Sequence, residues 1–113
     1  MQQRTFKFKA WNNEEKLLVR LNSIECVKGV LSKKNHILLQ FTGALDKNES
    51  EIYESDILLK GTDKYIIRWD HENLKWIIVP EKSTELIQPL ADIVNEDYVR
   101  LCNKYEAPDS FNN

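Results

Sequence analysis

The sequence predicts a mainly β fold: a small twisted antiparallel sheet that curls into a partly open barrel, with one short helix in the C-terminal half. Three observations predict this fold. Apolar and polar residues alternate in several short runs, polar or glycine-containing turns separate these runs, and only one segment has helical spacing. The 113 residues, 42% hydrophobic and 30% charged, fit one globular domain spanning residues 1–113.

The N-terminal segment predicts a β-hairpin. In the first run, residues 5–11, phenylalanines alternate with lysines, and in the second, residues 16–21, leucine and valine occupy alternate positions. The polar residues 12–15 between the runs suit a tight turn. Residues 36–42 predict a further strand, whereas residues 30–34 fit no single type of structure.

The middle of the chain predicts a meander of three strands. The strands are expected at residues 56–60, 64–70 and 74–80, and a glycine, Gly61, follows the first of them. Trp69 and Trp76 then fall on adjacent strands and are expected to form a facing pair. We also expect four apolar residues to share one core: Tyr53, Ile57, Ile66 and Trp69.

The C-terminal part contains the helical segment. Leucine, isoleucine and valine recur there every three to four residues, but Pro89 interrupts the pattern. We therefore predict a short helix over residues 89–95 after a strand-like segment, residues 85–88. Residues 97–104 predict the last strand, and residues 106–113 predict a loose tail.

Residues 40–59, which read QFTGALDKNESEIYESDILL, carry a recognisable motif. This stretch resembles the signature of the YopX family, small proteins encoded by phages, prophages and other mobile elements of bacteria. Residues 6–12 (FKFKAWN) and 99–109 (VRLCNKYEAPD) are similar to the opening and closing motifs of the same family. The matching positions are Gln40, Thr42, Gly43, Asp46, Asn48, Ile52, Tyr53, Glu54, Asp56, Asn103, Tyr105 and Pro108.

The resemblance implies a β-rich, barrel-like fold, a bacterial cytoplasmic location and mainly structural roles for the signature residues. It points to no particular activity. Asp56, directly before an apolar strand, is expected to accept backbone N–H hydrogen bonds. The chain carries Glu49, Ser55 and Cys102 where the family pattern has glycine. Because glycine enters positive φ at no steric cost, we expect a remodelled turn or a left-handed Asn48 near Glu49.

Charge is distributed unevenly along the chain. Residues 1–40 carry a net charge of +5 and residues 41–113 carry −7, which gives −2 overall. An acidic chain does not suggest a general nucleic-acid binder. A local basic face remains an alternative, and its candidate residues are Arg4, Lys7, Lys9, Trp11 and Arg20.

No pattern of residues predicts catalysis, a metal site or a cofactor. Cys26 and Cys102 lie far apart without metal-ligand spacing, and we expect them to be reduced thiols. Asp70 beside His71 lies in a predicted turn, where capping the turn is the simpler role. Five acidic residues around the signature lack the spacing of a calcium loop: Asp46, Glu49, Glu51, Glu54 and Asp56.

These observations favour a non-enzymatic interaction module that binds a protein partner or associates with copies of itself. Such a module needs an exposed sheet edge or apolar patch, and the first strand (residues 5–11) and last strand (residues 97–104) are the candidate edges. The alternative is a nucleic-acid-binding accessory protein that uses the basic N-terminal strands. A hydrolase that uses Asp70 and His71 or the acidic residues is the third hypothesis.

Overall fold

The computed structural model describes residues 5–21, 23–82, 86–92 and 97–111. Within these residues the protein is mostly β, and its antiparallel sheets curl into a half-barrel. The strands are β1 (Phe8–Asn12), β2 (Leu17–Arg20), β3 (Glu25–Val27), β4 (Val30–Ser32), β5 (His36–Leu45), β6 (Glu51–Tyr53), β7 (Asp56–Lys60), β8 (Asp63–Asp70), β9 (Lys75–Pro80), β10 (Gln88–Pro89) and β11 (Val99–Asn103).

The first sheet has the strand order β2-β1-β5-β6. The predicted hairpin of β1 and β2 is confirmed, and its register places Lys9 opposite Arg20. The side chain of Asn12 forms the turn, because its Oδ1 accepts hydrogen bonds from the backbone N–H groups of Glu14 and Glu15 at 3.0 and 3.1 Å. Since β1 pairs with both β2 and β5, the prediction that the first strand is an edge is wrong.

The second sheet has the order β10-β9-β8-β7-β11 and contains the predicted meander of β7, β8 and β9. Gly61 has a φ of 63° in the loop between β7 and β8, as the turn chemistry predicts. Trp69 lies opposite Trp76, and their ring centroids are 5.1 Å apart in an edge-to-face arrangement. The facing pair of tryptophans is therefore confirmed.

Both faces of the meander are buried. One face contributes to a core of Ile52, Leu58, Tyr65, Ile67, Ile78, Leu90 and Tyr98. The opposite face contributes to a second core of Ile57, Ile66, Val79 and Phe111. The prediction of a single core shared by Tyr53, Ile57, Ile66 and Trp69 is wrong, because side chains three positions apart on a strand, such as Ile66 and Trp69, point to opposite faces.

Strands β3 and β4 form a separate two-stranded hairpin, whose second strand lies in the segment that fitted no single type. Lys28 and Gly29 connect the strands with φ values of 51° and 79°. Two consecutive left-handed residues are typical of a tight hairpin turn, which twists as the strands do. All six strand residues are exposed.

The C-terminal part differs from its prediction in two places. Within residues 89–95, Pro89 ends β10 and Leu90–Asp92 form a 3-10 helix, while residues 93–95 lie outside the described part. The segment expected to be a loose tail is packed as far as Phe111, which is 3% exposed in the second core. Lys64 holds this segment by donating from Nζ to the carbonyl oxygen of Ser110 at 2.6 Å.

Strand β11 is an edge of the second sheet among the described residues, as predicted. Its free side is partly covered, however. The backbone N–H of Lys47 donates to the carbonyl of Tyr98 at 3.0 Å, and the N–H of Arg100 donates to the Asp46 carboxylate at 2.7 Å. No helix in the described residues is both long and apolar enough to cross a membrane.

Candidate ligand-binding groove

Asp56 is the centre of a buried polar cluster that joins the signature segment to β11. Its side chain is fully buried, and its Oδ2 accepts hydrogen bonds from the Tyr53 backbone N–H at 2.7 Å and the Arg100 Nε at 2.8 Å. Its Oδ1 accepts a third from the Asn103 Nδ2 at 3.1 Å. The prediction that Asp56 accepts a backbone N–H bond is confirmed. The ion pair also fixes Arg100, whose side chain is 21% exposed.

Asn103 completes this cluster from the other strand. It is fully buried, and its Nδ2 donates to the Glu54 carbonyl at 3.0 Å as well as to Asp56. Its Oδ1 accepts a hydrogen bond from the Tyr105 N–H at 3.1 Å. An apolar residue at this position would take this donor away from the buried Asp56 carboxylate and the Glu54 carbonyl, so the amide stabilises the cluster.

Asp46 organises the turn that follows β5. Its Oδ1 accepts hydrogen bonds from the backbone N–H groups of Asn48 at 2.8 Å and Ser50 at 2.9 Å, while its Oδ2 accepts one from Arg100 at 2.7 Å. Burial acts to raise the pKa of Asp46, but these three N–H donors outweigh it and lower the pKa below its usual value. The ionised carboxylate therefore holds this turn against β11.

Two positions where the family pattern has glycine adopt left-handed backbone. Glu49 has a φ of 65° and Ser55 a φ of 66°. The expectation that the turn would be remodelled, or that Asn48 would take the left-handed position, is wrong: the chain keeps the glycine-like backbone and places a side chain on it. Cys102 has no positive φ and lies where the pairing of β11 with β7 shifts register.

The other signature residues also have structural contacts. The Thr42 Oγ1 donates to the Ile52 carbonyl at 2.8 Å, and Gly43, with a φ of 89°, lies where the β5–β6 register shifts. The Gln40 carbonyl accepts a hydrogen bond from the Glu54 N–H at 2.9 Å. Pro108 begins the C-terminal 3-10 helix.

A groove of about 810 Å³ lies beside this polar cluster. It is bordered by the start of β1 and the segment leading into it, by the end of β2 and the residues after it, and by β6 with the residue before it, while β11 contributes Arg100. The lining residues are Phe6, Lys7, Phe8, Lys9, Arg20, Leu21, Ser23, Ile24, Ser50, Glu51, Tyr53 and Arg100. Four cations and one carboxylate give the lining a net charge of +3.

The groove unites part of the basic face that the sequence suggested. Lys7, Lys9 and Arg20 line it, whereas Arg4 lies outside the described residues. Trp11 does not belong to the lining: it is 8% exposed and packs against Tyr105, with ring centroids 5.9 Å apart. Because Trp11 lies further along β1, where Tyr105 covers it, its inclusion in the basic face is wrong.

One lysine of the groove is neutralised within the protein. The Nζ of Lys7 lies 2.6 Å from the Oε2 of Glu51, and the Tyr53 hydroxyl donates to the Oε1 of the same carboxylate at 3.1 Å. The hydrogen bond from Lys7 lowers the pKa of Glu51. Burial, followed by the nearby Glu51 charge, raises the pKa of Tyr53 to about 12, so this hydroxyl stays protonated at neutral pH.

Lys9 is in a different situation from Lys7. Its Nζ lies 4.5 Å from the centroid of the Tyr53 ring, and it forms no ion pair with any residue that the structure describes. Arg20 likewise has no ion pair within the described ranges. Partial burial, followed by the positive charge of Arg100, lowers the pKa of Lys9. The groove therefore contains two cations without a carboxylate partner.

The residues considered for catalysis or metal binding have other contacts. Asp70 caps its turn as predicted, accepting bonds from the N–H groups of Glu72 and Asn73 and from the Asn73 Nδ2 at 2.8 to 3.3 Å. The acidic residues near the signature are engaged separately, with Asp46 bound to N–H groups and Asp56 to Arg100. Over the described ranges, no three histidine, cysteine or acidic residues are grouped to hold a metal ion.

Arg100 and Tyr53 are two of the groove residues that the predicted basic face did not include. Arg100 reaches Asp56 from 44 residues away, a separation that leaves no local pattern. The sequence predicts that Tyr53 belongs to the common core, whereas its neighbour Ile52 is the residue that enters the first core. The alternation of side chains along β6 could have identified Tyr53, because only one of two adjacent residues can face that core.

Comparison with known proteins gives a family and a fold. The chain matches the sequence profile described as YopX protein over residues 2–110. In structure it is similar to protein EF1440 from Enterococcus faecalis, with 21% sequence identity, a TM-score of 0.61, and coverage of 95% of this chain and 98% of that chain. None of the functionally curated proteins compared matches it. Since the profile match spans nearly the whole sequence, the chain belongs to the YopX family.

Proposed function

We propose that the protein is a non-enzymatic interaction module, encoded by a phage or another mobile element, that binds protein partners and in the simplest case a second copy of itself. The buried ionisable residues of the signature support a binding rather than a catalytic role. Asp46 and Asp56 both use their carboxylate oxygens to hold backbone and side chains in place.

The observation that carries this proposal is the β3–β4 hairpin. Val27 is 63% exposed, Val30 is 65% exposed and Leu31 is 42% exposed. The pairing places Val27 beside Val30 on one face and Cys26 beside Leu31 on the other, so both faces present apolar side chains. An isolated two-stranded hairpin is marginally stable in water, and a partner that covers it would stabilise it.

A second copy is the simplest such partner. The outer edges of β3 and β4 carry backbone N–H and C=O groups that no other strand pairs within the described residues. If the outer edge of one of these strands pairs antiparallel with the same edge in another copy, a two-fold axis relates the two copies and the backbone groups of that edge are satisfied. The exposed valines would then lie against apolar residues instead of water.

Light scattering across a concentration series, from about 1 to 500 µM, tests the self-association. We expect the natural chain to form a dimer or larger symmetric assembly. The double variant Val27→Lys with Val30→Lys should shift the chain to monomer, because it places charges in the contact. Leu74→Lys is the matched control, since Leu74 is 73% exposed in another hairpin and should leave association unchanged.

A strict monomer at high micromolar concentration contradicts self-association. The broader proposal then depends on affinity capture from host cells with the natural chain and the double variant as parallel baits. A protein partner retained by the natural chain and lost from the variant supports an interaction role for the hairpin. If both baits retain the same proteins, the hairpin is not the contact surface and the proposal is overturned.

Nucleic-acid binding is the second candidate function, and the groove favours it. It brings Lys7, Lys9 and Arg20 together, and phosphate contacts with such residues release counterions. Binding to labelled single- and double-stranded DNA and RNA should weaken steeply with salt, and should weaken in Arg20→Gln but not in Arg68→Gln, an exposed arginine on β8. The absence of binding at tens of micromolar and low salt rules this candidate out.

A further inference from the structure

Two like charges face each other across β1 and β2 at the groove. Lys9 and Arg20 are direct register partners in this antiparallel pair. Side chains in such a pair project from the same face with Cβ atoms about 4.5 to 5.5 Å apart, and like charges directly opposite destabilise the pair. Both residues line the groove, and neither has an ion pair in the part of the chain that the structure describes.

The other two cations of the groove are already neutralised. Lys7 is paired with Glu51 at 2.6 Å, and Arg100 is paired with Asp56 at 2.8 Å and lies 3.7 Å from Glu106. The uncompensated charge is therefore concentrated at Lys9 and Arg20. Partial burial and the charge of Arg100 lower the pKa of Lys9, and they outweigh the opposing charges of Asp56, Glu106 and Glu51, which form their ion pairs with Lys7 and Arg100 instead.

This charge pattern suits one compact dianion. A phosphomonoester carries about −1.5 to −2 charges at pH 7 and has three acceptor oxygens. Lysine offers three donors and arginine five, so both could bind the same phosphoryl group. A single carboxylate would neutralise only one of the two cations.

The rest of the groove suits a small organic group attached to that anion. Its volume of about 810 Å³ falls within the range of small-molecule sites, roughly 300 to 1,000 Å³. Phe6, Phe8, Leu21 and Ile24 provide apolar lining beside the cations.

We propose that the groove binds a small phosphomonoester of nucleotide size, with its phosphoryl group between Lys9 and Arg20 and its organic group against the apolar lining. This proposal does not depend on the hairpin as a contact surface. It also differs from nucleic-acid binding, because an internal phosphodiester carries only one charge.

Calorimetric titration of the full chain with adenosine monophosphate tests the proposal. We expect one molecule bound per chain, weaker binding of inorganic phosphate, and no binding of adenosine. Arg20→Gln and Lys9→Gln should each weaken binding by about tenfold or more, because each removes a charge-assisted hydrogen bond. Arg68→Gln and Lys75→Gln, exposed residues on β8 and β9, are the matched controls and should bind as the natural chain does.

Amide chemical shifts recorded during the same titration locate the site and show whether each variant is folded. Shifts concentrated at the lining residues 6–9, 20, 21, 23, 24, 50, 51, 53 and 100 support the proposal. It is overturned if adenosine monophosphate does not bind at 1 mM, if the two groove variants bind as well as their controls, or if only a DNA oligonucleotide without terminal phosphates binds. The last outcome assigns the groove to nucleic acid instead.

Discussion

The meander of β7 to β9 and the β3–β4 hairpin are built from the same kind of antiparallel pairing but differ in burial. Ile57 and Ile66 face each other in the meander at 0% and 1% exposure, while Val27 and Val30 face each other in the hairpin at 63% and 65%. Local pairing chemistry is similar in the two regions. What differs is whether other elements cover the paired side chains, which determines how much each region contributes to stability.

Of the changes considered, loss of the Asp56 carboxylate at the start of the meander should lower the free energy of unfolding the most. Asp56→Asn leaves Arg100 without its buried partner and alters the bonds to Tyr53 and Asn103. We expect unfolding in denaturant to show a loss of about 3 to 5 kcal/mol, the range found when one partner of a buried ion pair is removed. Asp63→Asn, which breaks the exposed ion pair with Lys82, is the control and should cost less than about 1 kcal/mol. Similar losses in the two variants would contradict the assigned importance of the cluster.

Truncation of a core side chain should have the next largest effect. Ile57 is fully buried in the second core, so Ile57→Ala should lower the free energy of unfolding by about 2 to 5 kcal/mol through lost burial and a cavity. Chemical denaturation measures this change. A loss below about 0.5 kcal/mol would show that the strand faces are assigned wrongly.

Asp46 should make stability depend on acid pH. Because its folded pKa lies below the unfolded value of 3.8, its contribution is fully present above that value and is lost as pH falls through the folded pKa. Burial raises the pKa of Glu54, so Glu54 favours the folded state more at low pH than at high pH and partly offsets the effect of Asp46 on the natural chain. We therefore expect the stability difference between the natural chain and Asp46→Asn to shrink as pH falls from 5 to 2. A difference that is constant with pH would be evidence against this role.

The residues with left-handed backbone should have a smaller effect on stability, and Glu49 in the turn after Asp46 provides the test. Glu49→Gly should stabilise the chain by up to about 1 kcal/mol, because glycine adopts its φ of 65° without steric cost. Ser50→Gly is the control, since Ser50 is not among the positive-φ residues and glycine there mainly adds unfolded-state entropy. Thermal unfolding should therefore show opposite shifts for the two variants.

The exposed hairpin should show the smallest effect. Val27→Ala is expected to change the free energy of unfolding by less than about 0.5 kcal/mol at a protein concentration where the chain is monomeric. Denaturation repeated at a higher concentration should show a larger loss if association covers this residue. A loss of 2 kcal/mol or more in the monomer would show that the hairpin is packed, and would remove the contrast with the meander.

The sequence was sufficient for the regular local features. The structure confirms the β1–β2 hairpin, the meander with Gly61 in its first loop, the tryptophan pair, the turn cap by Asp70 and the role of Asp56 as an acceptor of a backbone N–H bond. These features depend on alternation and turn chemistry within a few residues, which a single sequence displays directly. The motif in residues 40–59 also identified the family.

Only the tertiary structure decided how these pieces combine. It showed that both faces of the meander are buried, that Phe111 is packed rather than part of a loose tail, and that β1 lies inside a sheet. The groove is a further example, because Lys9, Arg20 and Arg100 come from three strands and Arg100 is fixed by a residue 44 positions away. Long-range contacts of this kind depend on the packing of whole elements, and local periodicity contains no information about which elements meet.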